Sequence, residues 1–575
     1  MFRPITHIPV LCLFLTIILL PGLAPPVCAQ SSPGRRLIYS TYLGGSIPCI
    51  PGGSPVTFAQ NAASDAQGDA YVTGAALVYD LPVRNAFQSA PAPDSAMSAF
   101  VAKFSPAGQL LWSTYLGGDK KSVGVGVAAM PDGGVAVSGL TSSDASGAFP
   151  IKNAFQEQNN GLTDYFLAVF DASGGLRYAT YLGGSGVEGA PSPETFADDS
   201  DNGDNVAVDA NGLVYVTGMT HSGDDETIPF PVTSNALQAR LAGKRDAFLC
   251  IVDPSQSGSG SLIYSSLLGG KGDDKGHGVA VDASGGRIAV AGMTDSRDFP
   301  VTGNALRGAA PPEGFISNGF VTWIESSQPG SRSSQYALRY STYLGGNVSD
   351  ARDDVYGLAL DPNGLIVATG RTQSADFPMT QSGASVFNSA PYLKAGSSGD
   401  EPYLVKINPD LDGAASLVYA AFLGGGSATG QWGSFCTSVG ADAQGNVYVG
   451  GETCAPGQQY DPGDKTAPEK FPYTENALST TLQGDWDAIL MGIAPGGAAL
   501  GYSTFLGGSA SDRVYGLAVD PAGGVIVSGL TFSKNFPLRN PAQTWPGNKG
   551  HQNAFVAKFA PVAPETGPVM LLLDD

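Results

Sequence analysis

Short apolar runs separated by glycine-rich turns recur along the whole chain, and one of them returns seven times. Residues Tyr39 to Gly45 run aromatic, Ser, Thr, aromatic, Leu, Gly, Gly. The same order restarts at Trp112, Tyr178, Tyr264, Tyr340, Tyr419 and Tyr502, with Leu267, Phe422 and Phe505 replacing the second tyrosine. Between copies the pattern passes through three further strand-like stretches. In the clearest cycle Val206–Asp209 is the first, Leu213–Gly218 the second, Asp246–Val252 the third, and Leu262–Leu268 the signature itself. Alternation over four residues does not identify a strand alone; repeated between turn signals, it does. Turns such as Asp361 to Gly364 and Asp442 to Gly445 suit tight hairpins, since Asn and Gly tolerate positive φ.

The two ends of the array decide its geometry. The first signature strand has no three partners before it. The last cycle has Leu517–Asp520, Val525–Gly529 and Ala554–Phe559 but no fourth strand. One strand over at the start and one short at the end is what a closed ring requires, because it leaves no open sheet edge. An open solenoid would need capping repeats instead. The pattern therefore predicts an all-β fold: a single seven-bladed β-propeller of four-stranded blades, with Tyr39–Leu43 completing the last blade. Consecutive antiparallel strands then place the long second-to-third loops and the Gly-Gly loops on one face, and the short Asp-x-x-Gly turns on the other.

Taken together, the signature, the Val-Ala-Val-Asp-x-x-Gly hairpin (Val206 to Gly212), the Asp-Phe-Pro triplets (Asp298 to Pro300, Asp376 to Pro378) and Ala-Phe-Val-Ala-Lys-Phe (Ala99 to Phe104, Ala554 to Phe559) resemble the bacterial SBBP repeat family. The match covers about Arg36 to Phe559. The resemblance implies a propeller of exported or surface-associated type, in a family mostly without assigned activity. Ala148 and Asn535 depart from the pattern at the acid of the triplet.

Composition narrows the compartment. Arg3, the apolar run Ile8 to Leu20 and the small residues at Val27-Cys28-Ala29 read as a signal peptide cleaved after Ala29. That divides the chain into residues 1–29 (signal), 30–560 (propeller) and 561–575 (a short tail), secreted, periplasmic or held at the cell surface, with no transmembrane segment once the signal is removed. A net charge of −21 argues against nucleic acid and anionic membranes as partners. Of the exported cysteines, Cys436 and Cys454 flank one hairpin with its turn residue Gly445 at their midpoint, so a regular antiparallel ladder would place them opposite each other as a disulfide. Cys49 and Cys250 have no such relation.

Candidate chemistry belongs on the long-loop face, where repeat scaffolds vary most. Asp198, Asp199, Asp201 and Asp204, with Asp224 and Asp225 in the next loop, gather the hard oxygens a calcium ion takes; a solvated acidic loop is the competing reading. Trp432, Trp486 and Trp545 could stack on sugar rings, or fill space between blades. Of the three exported histidines, His277 beside Asp273 and Asp274 reads as a solvated loop residue, and no zinc or nucleophile-elbow motif is present. These features favour an exported, non-catalytic binding or scaffold module whose partner is a glycan or surface protein, needing no cofactor, with calcium as the one candidate. The alternative is a carbohydrate-active enzyme using loop-face carboxylates.

Overall fold

The computed structural model describes residues 34–93, 95–144, 149–189, 205–223, 226–379, 399–425, 434–459, 470–546 and 551–562. They form seven four-stranded antiparallel sheets and one two-stranded parallel ribbon, Gly457–Gln459 with Phe471–Tyr473. Blades I to VI occupy residues 57–116, 122–182, 206–268, 274–344, 353–422 and 435–506. Blade VII takes three strands from residues 512–561 and its fourth from Arg35–Leu43. Leu43 lies opposite Ala554 and Arg35 opposite Pro561, so the N-terminal strand closes the ring as expected. First strands of neighbouring blades pack on each other and form the inner ring; the signature strands are outermost.

The repeated motifs become contacts. The phenylalanine of each Asp-Phe-Pro triplet plugs the long-loop end of its blade, Phe299 at 4.5 Å from Phe320 and Phe536 at 4.5 Å from Phe555. The signature serine then donates to the carbonyl of the triplet's proline, Ser341 to Pro300 at 2.6 Å, and in blade I, where the triplet is Asp80-Leu81-Pro82, Ser113 to Pro82 at 2.6 Å. This loop lies along the outermost strand and covers an edge that would otherwise template another chain. The acid of the triplet accepts from the backbone after Gly-Gly, Lys271 N–H to Asp298 at 2.9 Å. Asn535 accepts equally from Ser509 N–H at 2.8 Å, so the departure there keeps the required acceptor.

On the short-turn face, three lysines of the third strands tie blades together. Lys558 Nζ lies 2.7 Å from Asp520 of its own blade VII and donates to Gly68 O of blade I at 2.7 Å. Lys103 joins Asp65 and Asp69 of blade I to Gly133 O of blade II. Lys406, 2.6 Å from Asp361, reaches Pro495 O of blade VI. Blades II, III and IV carry Val169, Ile251 and Trp323 at this position, and blade VI carries Gly492.

Two expectations are corrected. The first strand of blade VII begins at Asp512, five residues ahead of the Leu517 that alternation indicates, and those of blades IV, V and VI open on equally polar residues or a bulged segment at Asp274, Asp353 and Phe435. A β-bulge in each breaks the period, leaving His277, Tyr356, Thr437 and Tyr515 outside the ladder. His277 is therefore a buried strand residue. The blade VI hairpin is centred on residue 444, with Gly440 opposite Tyr448, and the bulge takes up one residue more, so Cys436 faces Gly451 and no disulfide joins it to Cys454. Burial pushes the Cys436 thiol well up.

Candidate functional site

At the long-loop end of the inner ring, the start of each first strand, the end of each second and the start of each third converge. Blades I and II place Phe58 and Val123 there, whereas blades V and VII place Asp354 and Arg513. The polar half is organised by the bulges. The displaced His277 turns toward blade V, where its Nδ1 donates to Val355 O at 2.6 Å and its ring stacks on Tyr356 at 5.4 Å. Thr437 makes the equivalent bond to Val514 O, 2.7 Å away. A bulge thus turns an inner-strand side chain into an inter-blade stitch.

Beside this stack lies a hydrogen-bonded charge cluster. Arg371 donates to Asp354 from Nε at 3.2 Å and Nη2 at 3.1 Å, and its Nη1 lies 3.6 Å from Asp400. Tyr356 Oη and Ser317 Oγ donate to the same Asp354, and Gln373 donates to Asp400 at 2.8 Å. Burial alone would lower the Arg371 pKa, but Tyr356, Asp354 and Asp400 outweigh it and raise it. Burial first, and then the Asp354 anion, hold the Tyr356 phenol protonated well above its usual range. One guanidinium thus holds two carboxylates, Asp354 and Asp400.

A second cluster sits at blades VI and VII. Trp486 is half-buried, with its ring 6.3 Å from Phe435. Across the ladder from Phe435 stands Glu452, whose Oε2 lies 2.7 Å from Arg513 Nε of blade VII. Trp545 is elsewhere: it packs edge-on to Tyr42 of the outermost strand at 5.2 Å, with Lys534 6.0 Å from its ring centre. Trp432 and the acids Asp198, Asp199, Asp201, Asp204, Asp224 and Asp225 lie outside the described residues. Among the described residues, no group of three or more metal-ligating side chains occurs, and no helix is long and apolar enough to cross a membrane.

Sequence reasoning missed a third set, the buried acids at blade junctions. Asp164 faces Glu188 between blades II and III, Asp246 faces Asp274 between III and IV, and Asp487 faces Asp512 between VI and VII, all fully buried. Each pair crowds the first glycine of a Gly-Gly: a Cβ at Gly183 would sit 2.6 Å from Asp164 Oδ1 and 2.8 Å from Glu188 Oε2. The signal was available, as a recurrent polar residue opening each third strand.

Comparison with known proteins gives no family. No family description matches the chain, and no curated protein matches it. Among solved structures, it is similar to the polysaccharide lyase Uly1 (8% identity, TM-score 0.37, 92% of this chain and 99% of that one). It is similar also to the C-terminal WD40 domain of Sif2 (10% identity, TM-score 0.31, 92% and 99% covered). A third is a puromycin hydrolase (10% identity, TM-score 0.34, 83% of this chain), of which the chain spans half the length. The fold is a seven-bladed β-propeller. Identities this low carry no ligand and no chemistry across.

Proposed function

We propose that this chain is an exported, non-catalytic propeller of the SBBP repeat type, residues 30–560 after removal of a signal peptide, which binds a glycan or a glycan-bearing surface partner on its long-loop face. The observation that carries the reading is the blade VI–VII cluster: a half-exposed Trp486 beside Phe435, with the Glu452–Arg513 pair directly across the ladder. Glu452 is buried against Arg513, so the open groups are the aromatic face and the part-exposed guanidinium, a ring to stack on and a planar donor to bond a sugar. Against the enzyme alternative, Asp354 and Asp400 are both committed to Arg371, and the junction acids are buried beneath glycine turns. A general acid and base flanking a glycosidic bond must instead be open to it.

The test is glycan-array binding by residues 30–575, run with calcium and with chelator. Binding that is lost in Trp486→Ala but kept in Trp545→Ala supports the blade VI–VII site. Loss in Trp432→Ala extends that site into the neighbouring loop. Loss only with chelator moves the site to the acidic loops at Asp198–Asp204 and Asp224–Asp225. Absence of binding in every condition removes carbohydrate recognition and leaves a protein-binding scaffold.

A further inference from the structure

The seven blade junctions are held in different ways, and blade III is distinctive. The lysine ties occur at junctions VII/I, I/II and V/VI. On the long-loop side of those junctions the facing residues are Asn553 and Thr57, Ser98 and Ser122, and Glu401 and Ser434, none of them two carboxyls. The carboxyl pairs occur at II/III, III/IV and VI/VII, where no third-strand lysine is present. Junction VI/VII has a substitute tie, since Arg35 of blade VII hydrogen-bonds Tyr448 and pairs with Asp442 of blade VI. Blade III alone has a carboxyl pair on both flanks.

The contacts of these acids identify what lies between them. Asp164 Oδ2 accepts from Gln156 Nε2 and Asn160 N–H, both at 3.0 Å. Glu188 Oε1 accepts from the Thr220 and Ser222 hydroxyls. The remaining oxygens, Asp164 Oδ1 and Glu188 Oε2, are buried without a donor and are the two that crowd Gly183. A calcium-sized cation takes six to eight oxygens. Two oxygens ringed otherwise by N–H and O–H donors suit a proton. Junction IV/V points the same way: Asn318, an isostere of a protonated Asp, stands there opposite Asp353.

At III/IV, Asp246 and Asp274 crowd Gly269 together and Asp274 Oδ1 is buried without a donor. We propose that blade III is the proton-responsive sector of the ring: the carboxyl pair on each flank holds one proton, and loss of these protons loosens the blade from its neighbours while the lysine-tied junctions hold. The groups facing the pairs do not replace that proton. At II/III these are Tyr181 beside Asp164, and His221, whose Nδ1 bonds Val187 O. At III/IV they are Tyr343 and Asp298 on blade IV, and Asp273, which Arg245 Nε approaches to 3.5 Å. Lys275 follows Asp274 and by alternation points to the other side of the sheet. Burial is the first cause in each acid and raises Asp164 and Asp246 to about 6 and Asp274 to about 7, with Glu188 well above its usual range. Folded values above unfolded ones mean that this stabilisation is full below about pH 4 and is lost as pH rises through 6 to 7.

Hydrogen exchange of residues 30–575 at pH 5 and pH 8, corrected for intrinsic exchange rates, tests this. Peptides from residues 206–220 and 246–268 are expected to open at least about tenfold more at pH 8, the effect of one proton over one pH unit. Peptides containing Lys103 and Lys558 keep their protection. In the Asp164→Asn, Asp246→Asn variant the difference at blade III disappears. Equal protection of blade III at the two pH values, a uniform loss over all seven blades, or a pH difference that survives in the double variant each overturns the proposal. Should the variant not fold, the wild-type comparison between blades decides alone.

Discussion

Two junctions of the same ring, V/VI and II/III, solve one problem in opposite ways. Both must join sheets whose faces are apolar and whose ends carry buried polar groups. Junction V/VI uses charge complementarity, Lys406 on Asp361 with a further bond to the next blade. Junction II/III uses like groups, Asp164 on Glu188, and depends on a proton to make them compatible. The first is indifferent to pH near neutrality and the second is not. A repeat array whose strands barely differ can therefore differ from blade to blade in what holds it.

The largest expected effect comes from breaking the lysine side of this comparison. Lys406→Met leaves Asp361 buried without its partner and should lower the unfolding free energy by about 3–5 kcal/mol in urea titration. Burial raises the Asp361 carboxyl, but Lys406 and backbone N–H groups outweigh it and hold the pKa below the ordinary value. Stability from that group is present at neutral pH and lost as pH falls through the carboxylate range, so Lys406→Met should also flatten the acid limb of a melting-temperature profile.

A second prediction sharpens the comparison through glycine. Gly183→Ala drives a Cβ to 2.6 Å from Asp164 and should cost about 1–3 kcal/mol. At the serine-lined junction I/II, a Cβ on Gly117 meets Ser98 Oγ and Ser122 Oγ only at 3.3 Å, and Gly117→Ala should cost less in the same melt. Equal costs would mean that the carboxyl pair is no tighter than two hydroxyls. The smallest effect belongs outside the junctions: Asn535→Ala removes the acceptor of Ser509 N–H at an exposed turn and should cost about 0.5–1.5 kcal/mol.

The architecture was legible because the signature strand repeats seven times with only conservative changes and the ends miscount by one strand each way. The junction chemistry was not, for a physical reason visible at residues 274–279. A strand that opens Asp-Lys-Gly-His and bulges at its fourth residue has neither alternation nor apolar character, so it reads as loop. The Cys436–Cys454 pairing failed for two reasons: the ladder is centred on residue 444 and not on Gly445, which already sets Cys436 opposite Glu452, and the bulge skips one residue more. Aromatic rings were easier to find than to place: Trp486 and Trp545 lie on same-face loops as expected, yet one packs by the inner ring and the other on the outermost strand.

The closing strand has a mechanical consequence. Arg35 and Pro561 are partners at one end of an antiparallel pair, so both chain ends leave the ring on the short-turn face, away from the long loops. A load applied between them acts on that ladder as on a zipper, separating Arg35 from Pro561, then Arg36 from Ala560, one rung after another. Tension would open the circle at its seam long before it could shear any single blade, whereas a tether through one end alone would leave the seam unstressed and the long loops facing outward.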